Sequence, residues 1–414
     1  MNVQTNSHKP GDRMERLNLR EQAWPLYVTA QVLGVVGLIG TVLLGYYADD
    51  NFRRFFYSYL IEFLFFLSIA VGGLFFVLLQ HATKAGWSVN VRRIAEWFAS
   101  SLPMMAVLSA PIFIAVVLKR GQLYPWANSG WSAPGFKGVY LSPVFFLSRM
   151  VFYFVIWSAM GVWYWKQSVK QDEVGGIELT LRMQWWAPLG LIVFGLTLTF
   201  AMWDWIMSLD PGWYSTIFGV YYFGGSALAL FSALVLVVRL LQGKGLLQNS
   251  VTTEHFHDLG KFMFGFTFFW GYIAFSQYML QWYGNIPDET QWFLHHGAST
   301  LHPNEFSPVV IALLFGHFLI PFPGLLSRHV KRNPSVLTFW AIWVLTFCWL
   351  DMYWLVMPQF DVNYHSIQFG LIDVAAFVGI GGVFVAFIVR KASHDSVRAM
   401  RDPRLADSLA FENF

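Results

Sequence analysis

Residues 197–211, TLTFAMWDWIMSLDP, and 344–358, VLTFCWLDMYWLVMP, decide how this chain is read. Each runs apolar through a Leu-Thr-(Leu/Phe) step to one acid, Asp204 or Asp351. Each acid is flanked by Trp or Tyr and is followed by Pro after six intervening residues, Pro211 or Pro358. A carboxylate within a membrane span costs about 2.5–3.5 kcal/mol on insertion scales and marks a proton or substrate route. The arrangement recurs after 147 residues, which suggests two related halves.

The rest of the chain agrees with a membrane setting. Apolar residues make up 56% of it and charged residues 12%. Ten runs approach the roughly 20 residues that cross a bilayer: 25–47, 55–80, 95–118, 143–165, 185–207, 214–241, 258–282, 306–326, 336–357 and 368–389. Backbone groups in lipid must be satisfied within the segment, so runs this long are helices. Membrane strands would be about half as long and would alternate in polarity. The expected fold is an all-α integral membrane protein, with a membrane domain over 25–389 between tails at 1–24 and 390–414.

The halves can be matched helix by helix. The fourth span opens on Ser142-Pro143-Val144 and the eighth on Ser307-Pro308-Val309, with Pro where a first helical turn tolerates it. The second begins near Phe56-Tyr57-Ser58 and the sixth near Trp213-Tyr214-Ser215. Spans 2–5 (55–207) and 6–9 (214–357) therefore read as two four-helix bundles in parallel duplication, with spans 1 (25–47) and 10 (368–389) flanking them. Shared membrane composition is the competing explanation of such short matches.

With ten spans both tails lie on one side, and that side carries 21 of the 27 Lys and Arg. The opposite loops carry five, Arg53, Arg54, Lys119, Arg120 and Lys137, and Arg149 lies inside a span. The positive-inside rule puts both termini in the cytoplasm. The net charge of +3 is this bias and gives no reason to expect nucleic acid. The polar N-terminus lacks the pattern of a removable signal peptide, and the C-terminal stretch reads as a short exposed tail. Cys348 is the single cysteine, so an internal disulfide, an iron–sulfur cluster, a c-type haem and a zinc ribbon are all excluded. His295, His296 and His302 in one outer loop lack a Cys or a helical i, i+4 pair, so no metal is expected there.

Five charges share the outer-leaflet part of the spans: Glu62, Arg149, Asp204, Asp351 and Asp373. They read either as a polar pocket or proton half-channel, or as acids hydrated near helix ends among an aromatic belt. Asp351 and Glu62 are the deeper acids, Asp204 could be an interfacial cap, and Asp373 could face a partner subunit. Arg149 is the natural counter-ion for Glu62 or Asp204, because an unpaired Arg at that depth is expensive. His317, the only deep histidine, reads as a proton relay, a donor to a quinone carbonyl, or a packed side chain. Glu96, His255, His257, Asp258 and Lys261 gather at the cytoplasmic starts of spans 3 and 7. They read as an inner proton entrance or as surface ion pairs. Pro103 and Pro111 in span 3, and Pro321 and Pro323 in span 8, are the expected helix interruptions.

The stretch FHDLGKFMFGFTFFWGYIAFSQYMLQWYGNIPDET (256–290) resembles the seventh-span region of the membrane subunits of alternative complex III. GHFLIPFPGLLSRHVKRNP (316–334) and LDMYWLVMP (350–358) are similar to the same NrfD/PsrC-like family. The similarity runs from about residue 180 onward, and the length is similar to the smaller of that complex's two large membrane subunits. The resemblance implies a bacterial inner-membrane subunit of a quinol:electron acceptor oxidoreductase. It implies no metal and no catalytic residue of its own, and a quinol or menaquinol as the membrane substrate. The implied partners are a larger homologous membrane subunit, an iron–sulfur subunit, c-type cytochrome subunits and a terminal oxidase, with lipids around them. Within that family the smaller subunit is associated with proton conduction or architecture. The proton-handling candidates are then Glu62, Asp204, His317, Asp351 and Asp373, with Arg149 as counter-ion and Glu96, His257, Asp258 and Lys261 as the cytoplasmic entrance. A purely architectural subunit and a secondary transporter are the alternatives.

Overall fold

The computed structural model describes residues 18–48, 50–119, 121–299, 301–360 and 367–413. Most of the expected N-terminal tail, and Arg120 of the outer loop, lie outside them. No strand occurs among the described residues. Nine helices there are long and apolar enough to cross a membrane: α1 (Ala23–Tyr47), α2 (Arg53–Ala82), α3 (Val89–Val117), α4 (Pro143–Val174), α5 (Glu178–Leu209), α6 (Phe218–Gly243), α8 (Ser307–Gly324), α9 (Pro334–Gln359) and α10 (Leu371–His394). The chain is thus a multi-pass, all-helical membrane protein. Between α6 and α8 runs α7 (Thr253–Gly284), a continuous helix of 32 residues. Gly, Gln and Tyr dilute its apolar stretch, and it is not among the nine.

The interior is built on α2 and α6. Every residue of the apolar window of α2 is buried, because the helix packs against α1, α3, α4, α5, α6, α9 and α10. A helix apolar all round is stable only when surrounded in this way. It meets α6 where Gly72 lies against the Ser226 carbonyl and where the Tyr222 hydroxyl donates 2.7 Å to the Leu64 carbonyl. α6 in turn packs on α5, α7 and α9, and α4 on α3 and α5. By contrast, α1 exposes Val32, Val35, Val36 and Ile39 along one side, and its other side runs against α10. Small residues make that approach possible: a Cβ on Gly382 would lie 2.5 Å from the Gly34 nitrogen, and Gly37 meets Gly379 as closely. Such seams hold membrane helices together by close backbone packing.

Local breaks follow the chemistry of single residues. α3 is interrupted at Ser101 and Ser109, two residues before Pro103 and Pro111, because proline lacks the N–H that a continuous helix needs. α8 departs from α-geometry earlier than its prolines predict, in a π-helical turn over Leu314–Leu319. Pro188 lies inside α5 without ending it.

The C-terminal stretch is not an exposed tail. Val397, Ala399, Asp402 and Ser408 are buried. The backbone N–H of Met400 donates 2.7 Å to Asp172, and the Ser408 hydroxyl donates 2.7 Å to the Trp87 carbonyl. The segment is therefore a strap across the helix ends, secured by charges that composition alone makes look solvated.

Candidate functional site

Four intramembrane acids sort into two kinds. Asp204 and Asp373 are held by arginine, whereas Asp351 and Glu62 are held only by neutral donors.

Asp204 lies at the end of α5, just before a 3-10 turn over Met207–Leu209. It is 1% exposed, which overturns its reading as a hydrated interfacial cap. Arg149 on α4 grips it with two N–H groups, Nε at 2.9 Å and Nη2 at 2.6 Å. Tyr153, one turn further along α4, adds its hydroxyl at 2.8 Å. The guanidinium also rests on the Tyr140 and Phe145 rings, 3.8 and 4.4 Å from their centroids. Arg149 therefore serves Asp204 rather than Glu62. The loop between α3 and α4 closes over this end: Tyr124 donates to the Trp205 carbonyl at 3.0 Å, and Trp126 to the Ser208 hydroxyl at 3.1 Å.

Asp373 sits in the first turn of α10, where one carboxylate oxygen accepts the Gly370 backbone N–H at 2.8 Å. An acid there also complements the positive end of the helix dipole. The same oxygen accepts Arg54 Nη2 at 2.5 Å, and Arg54 also donates to Ser58 at 2.8 Å and to the Gln368 carbonyl. Asp373 thus faces α2 inside the protein and not a partner subunit. The sequence reading counted Arg54 as a loop charge and missed it as the counter-ion.

Asp351, in α9, is fully buried. Its two oxygens accept the Tyr221 hydroxyl from α6 at 2.5 Å and the Trp270 indole N–H from α7 at 3.2 Å. His317 lies tilted against the Trp270 ring with 3.9 Å between centroids, and its Nε2 lies 3.6 Å from Cys348 Sγ. His317 Nδ1 is buried with no hydrogen-bond partner. The structure therefore brings Asp351 and His317 together through one indole. The π-helical turn carries His317, and the Gly316 carbonyl of that turn accepts Trp343 Nε1 at 2.7 Å. Turns of this kind recur at functional positions.

Glu62, also fully buried, faces α9 from α2. Both of its oxygens accept the single indole N–H of Trp349, at 2.8 and 2.9 Å.

Beside Asp351 opens a cavity of about 810 Å³ between α6, α7, α8 and α9. Tyr221 and Trp270 form part of its wall. The loop between α7 and α8 roofs it with Trp292, Gly297 and Ser299. Within that loop His296 stacks on Trp292, 3.6 Å between centroids, and its carbonyl accepts Trp354 Nε1 at 2.8 Å. Burial pushes the His296 imidazole down to about 3. Among the described residues no group of three or more His, Cys, Asp or Glu is arranged to hold a metal ion.

The expected cytoplasmic entrance divides between two sets of partners. Glu96 is fixed by Arg92 and Arg93, each at 3.1 Å. These arginines also hold Asp402 of the strap at 2.5 Å and Asp172 of α4 at 2.7 Å. Asp258 pairs with Lys261 on α7, and Lys261 also reaches Asn413 at 2.8 Å. His257 is buried with an unpartnered Nδ1. Besides Arg54, the residues the sequence missed, Tyr153, Tyr221, Trp270 and Trp349, are aromatic. With 20 Trp and 17 Tyr in the chain, none stands out before the fold selects it.

A scan against protein-family models finds no match to this chain, and no curated protein matches it.

Proposed function

We propose that the chain is a ten-span membrane subunit of a bacterial quinol:electron acceptor oxidoreductase of the alternative complex III type, in which cation-free buried carboxylates handle protons. Ten helices, α1 to α10, form two four-helix bundles, α2–α5 and α6–α9, flanked by α1 and α10. Both termini face the cytoplasm of an inner membrane. Electrons from quinol pass to iron–sulfur and c-type haem subunits, and this chain supplies no metal.

The observation that carries the reading is the environment of Asp351. Its partners are a phenol and an indole, and among the described residues no cation lies within hydrogen-bond reach. Proton uptake at Asp204 must break a two-point pair with Arg149. Uptake at Asp351 breaks no ion pair, so it can proceed at far lower cost. Burial beside neutral donors is how catalytic acids are tuned for proton exchange. Glu62 shares this property and is the second carrier. The test is Asp351→Asn in the assembled complex. Proton release or quinol turnover should fall while assembly persists, and unchanged release with full turnover refutes the role.

An architectural role is favoured by Asp204 and Asp373, whose pairs with Arg149 and Arg54 tie helices together. It predicts that acid-to-amide changes at Glu62 and Asp351 leave turnover unaltered. The interruptions of α3 at Ser101 and Ser109 and the π-turn in α8 are features a transporter would share. Solute flux in liposomes containing the isolated chain would favour that alternative.

A further inference from the structure

We propose that a groove between α1, α3 and α10 is a binding site for an anionic phospholipid, with the phosphate head at Arg390 and an acyl chain along the valines of α1. The inference is independent of the proton-handling reading and needs only that these helices cross a bilayer.

The groove has a volume of about 540 Å³, within the range of small-molecule sites. α1 and α10 run antiparallel, since Gly34 meets Gly382 and Gly37 meets Gly379. In that register Arg390 stands level with the first turns of α1, near Tyr27. Gln31 lies one turn deeper, and Val35 and Val36 a further turn. The wall from Tyr27 to Val36 is therefore about 14 Å tall at 1.5 Å per residue. Polar groups occupy the end nearest the helix termini, and Val32, Val35, Val36 and Val383 line the deeper part, with Met104 added by α3. This is the order of head, ester and tail in one leaflet of a bilayer.

The head end is basic. Arg390 is exposed, and among the described residues no hydrogen bond or ion pair holds its guanidinium. Beside it the Lys391 ammonium lies 3.0 Å from the centroid of the Trp165 ring and 5.5 Å from that of Phe387, which lines the groove. Arg390 and Lys166 both repel Lys391, and Asp395 attracts it. Oδ2 of Asp395 accepts the indole N–H groups of Trp97 and Trp165, at 3.1 and 2.7 Å. Three cations against this one acid leave positive charge unmatched at the membrane surface, where Lys and Arg draw anionic lipids. A zwitterionic head would bring an ammonium of its own against them.

Gln31 is a second and independent sign. It is exposed on α1, and its amide donates 2.8 Å to the Tyr27 hydroxyl. One amide N–H remains, and an amide left unbonded in an apolar layer is costly. The ester carbonyls of a phospholipid lie just below the phosphate, at this depth, and would accept it. An uncharged apolar ligand would make no use of Arg390, and free phosphate would make no use of the valines.

The experiment uses the purified full-length protein in detergent and native mass spectrometry. The probes are phosphatidylglycerol and phosphatidylcholine with identical chains, and inorganic phosphate. Phosphatidylglycerol should be retained about fivefold better than phosphatidylcholine, and inorganic phosphate should not displace it. Arg390→Gln should abolish the preference, and Arg390→Lys should keep most of it. Val35→Trp fills the groove from α1 and should cut phosphatidylglycerol retention about tenfold. Arg390 and Val35 are both exposed, so the variants should elute as folded protein on size exclusion. Equal retention of the two lipids, a preference that survives Arg390→Gln, retention that Val35→Trp leaves unchanged, or displacement by inorganic phosphate would each overturn the proposal.

Discussion

Asp204 and Asp351 occupy matching places in the sequence, yet their replacement by Asn should have different consequences. In Asp204→Asn the amide keeps one oxygen for Arg149 but loses the second charged contact, now at 2.6 and 2.9 Å, and the negative charge itself. Removing one partner of a buried pair costs about 3–5 kcal/mol. A single remaining neutral acceptor retains roughly 1 kcal/mol of that, so a net loss of about 2–4 kcal/mol is expected. The Tyr140 and Phe145 rings hold the guanidinium before and after the change, and so do not offset it. In Asp351→Asn the amide oxygen still accepts Tyr221, while its NH₂ group faces the Trp270 N–H, so the loss is one hydrogen bond, about 1 kcal/mol. Thermal-shift measurements on the purified protein should rank Asp204→Asn clearly below Asp351→Asn. In a double-mutant cycle with Arg149→Met, Asp204→Asn should show a coupling of about 2–3 kcal/mol. Equal destabilisation by the two amides, or no coupling to Arg149, would refute the division of the acids into paired and cation-free.

Three further outcomes follow from other parts of the fold. Gly37→Leu should separate α1 from α10, since a side chain there collides with the Gly379 backbone, and loss of folded protein on size-exclusion chromatography would report it. Asp402→Ala should leave Arg92 with Glu96 alone, and protease should then cleave the strap at sites that resist in the wild type. His296 is depressed from 6.5 to about 3 by burial, so the unfolded chain binds the proton first as pH falls. Its contribution is complete above about pH 6.5 and declines towards pH 3 at up to roughly 1.4 kcal/mol per pH unit. His296→Phe should flatten melting-temperature profiles over that window while keeping a ring against Trp292.

Much of this architecture was legible because membrane burial writes itself into long apolar runs. The expected span 25–47 is the helix Ala23–Tyr47, and 368–389 begins three residues before Leu371 and stops short of His394. The misses have physical causes. α4 continues to Val174, well past the expected 165, because polar residues extend helices beyond the apolar layer without leaving a hydropathy signal. The pairing of Arg149 with Asp204 was one of two options that depth and charge allowed, and only packing decides it. Arg54 and Asp373 are 319 residues apart, so no local pattern links them. The strap was hidden for the same reason: Asp402 is buried only because Arg92 waits for it. The cavity was not legible, because its walls come from four helices and the loop between α7 and α8, which no local pattern joins.

The central claim is the proposal that Asp351 carries protons within a quinol-oxidising complex, and the most direct measurement is proton release per quinol oxidised by such a complex in sealed proteoliposomes. With Asp351→Asn, release should drop severalfold in a complex of normal composition and near-normal thermal stability. Release indistinguishable from wild type, at the same quinol turnover, would contradict the account and leave this chain an architectural element.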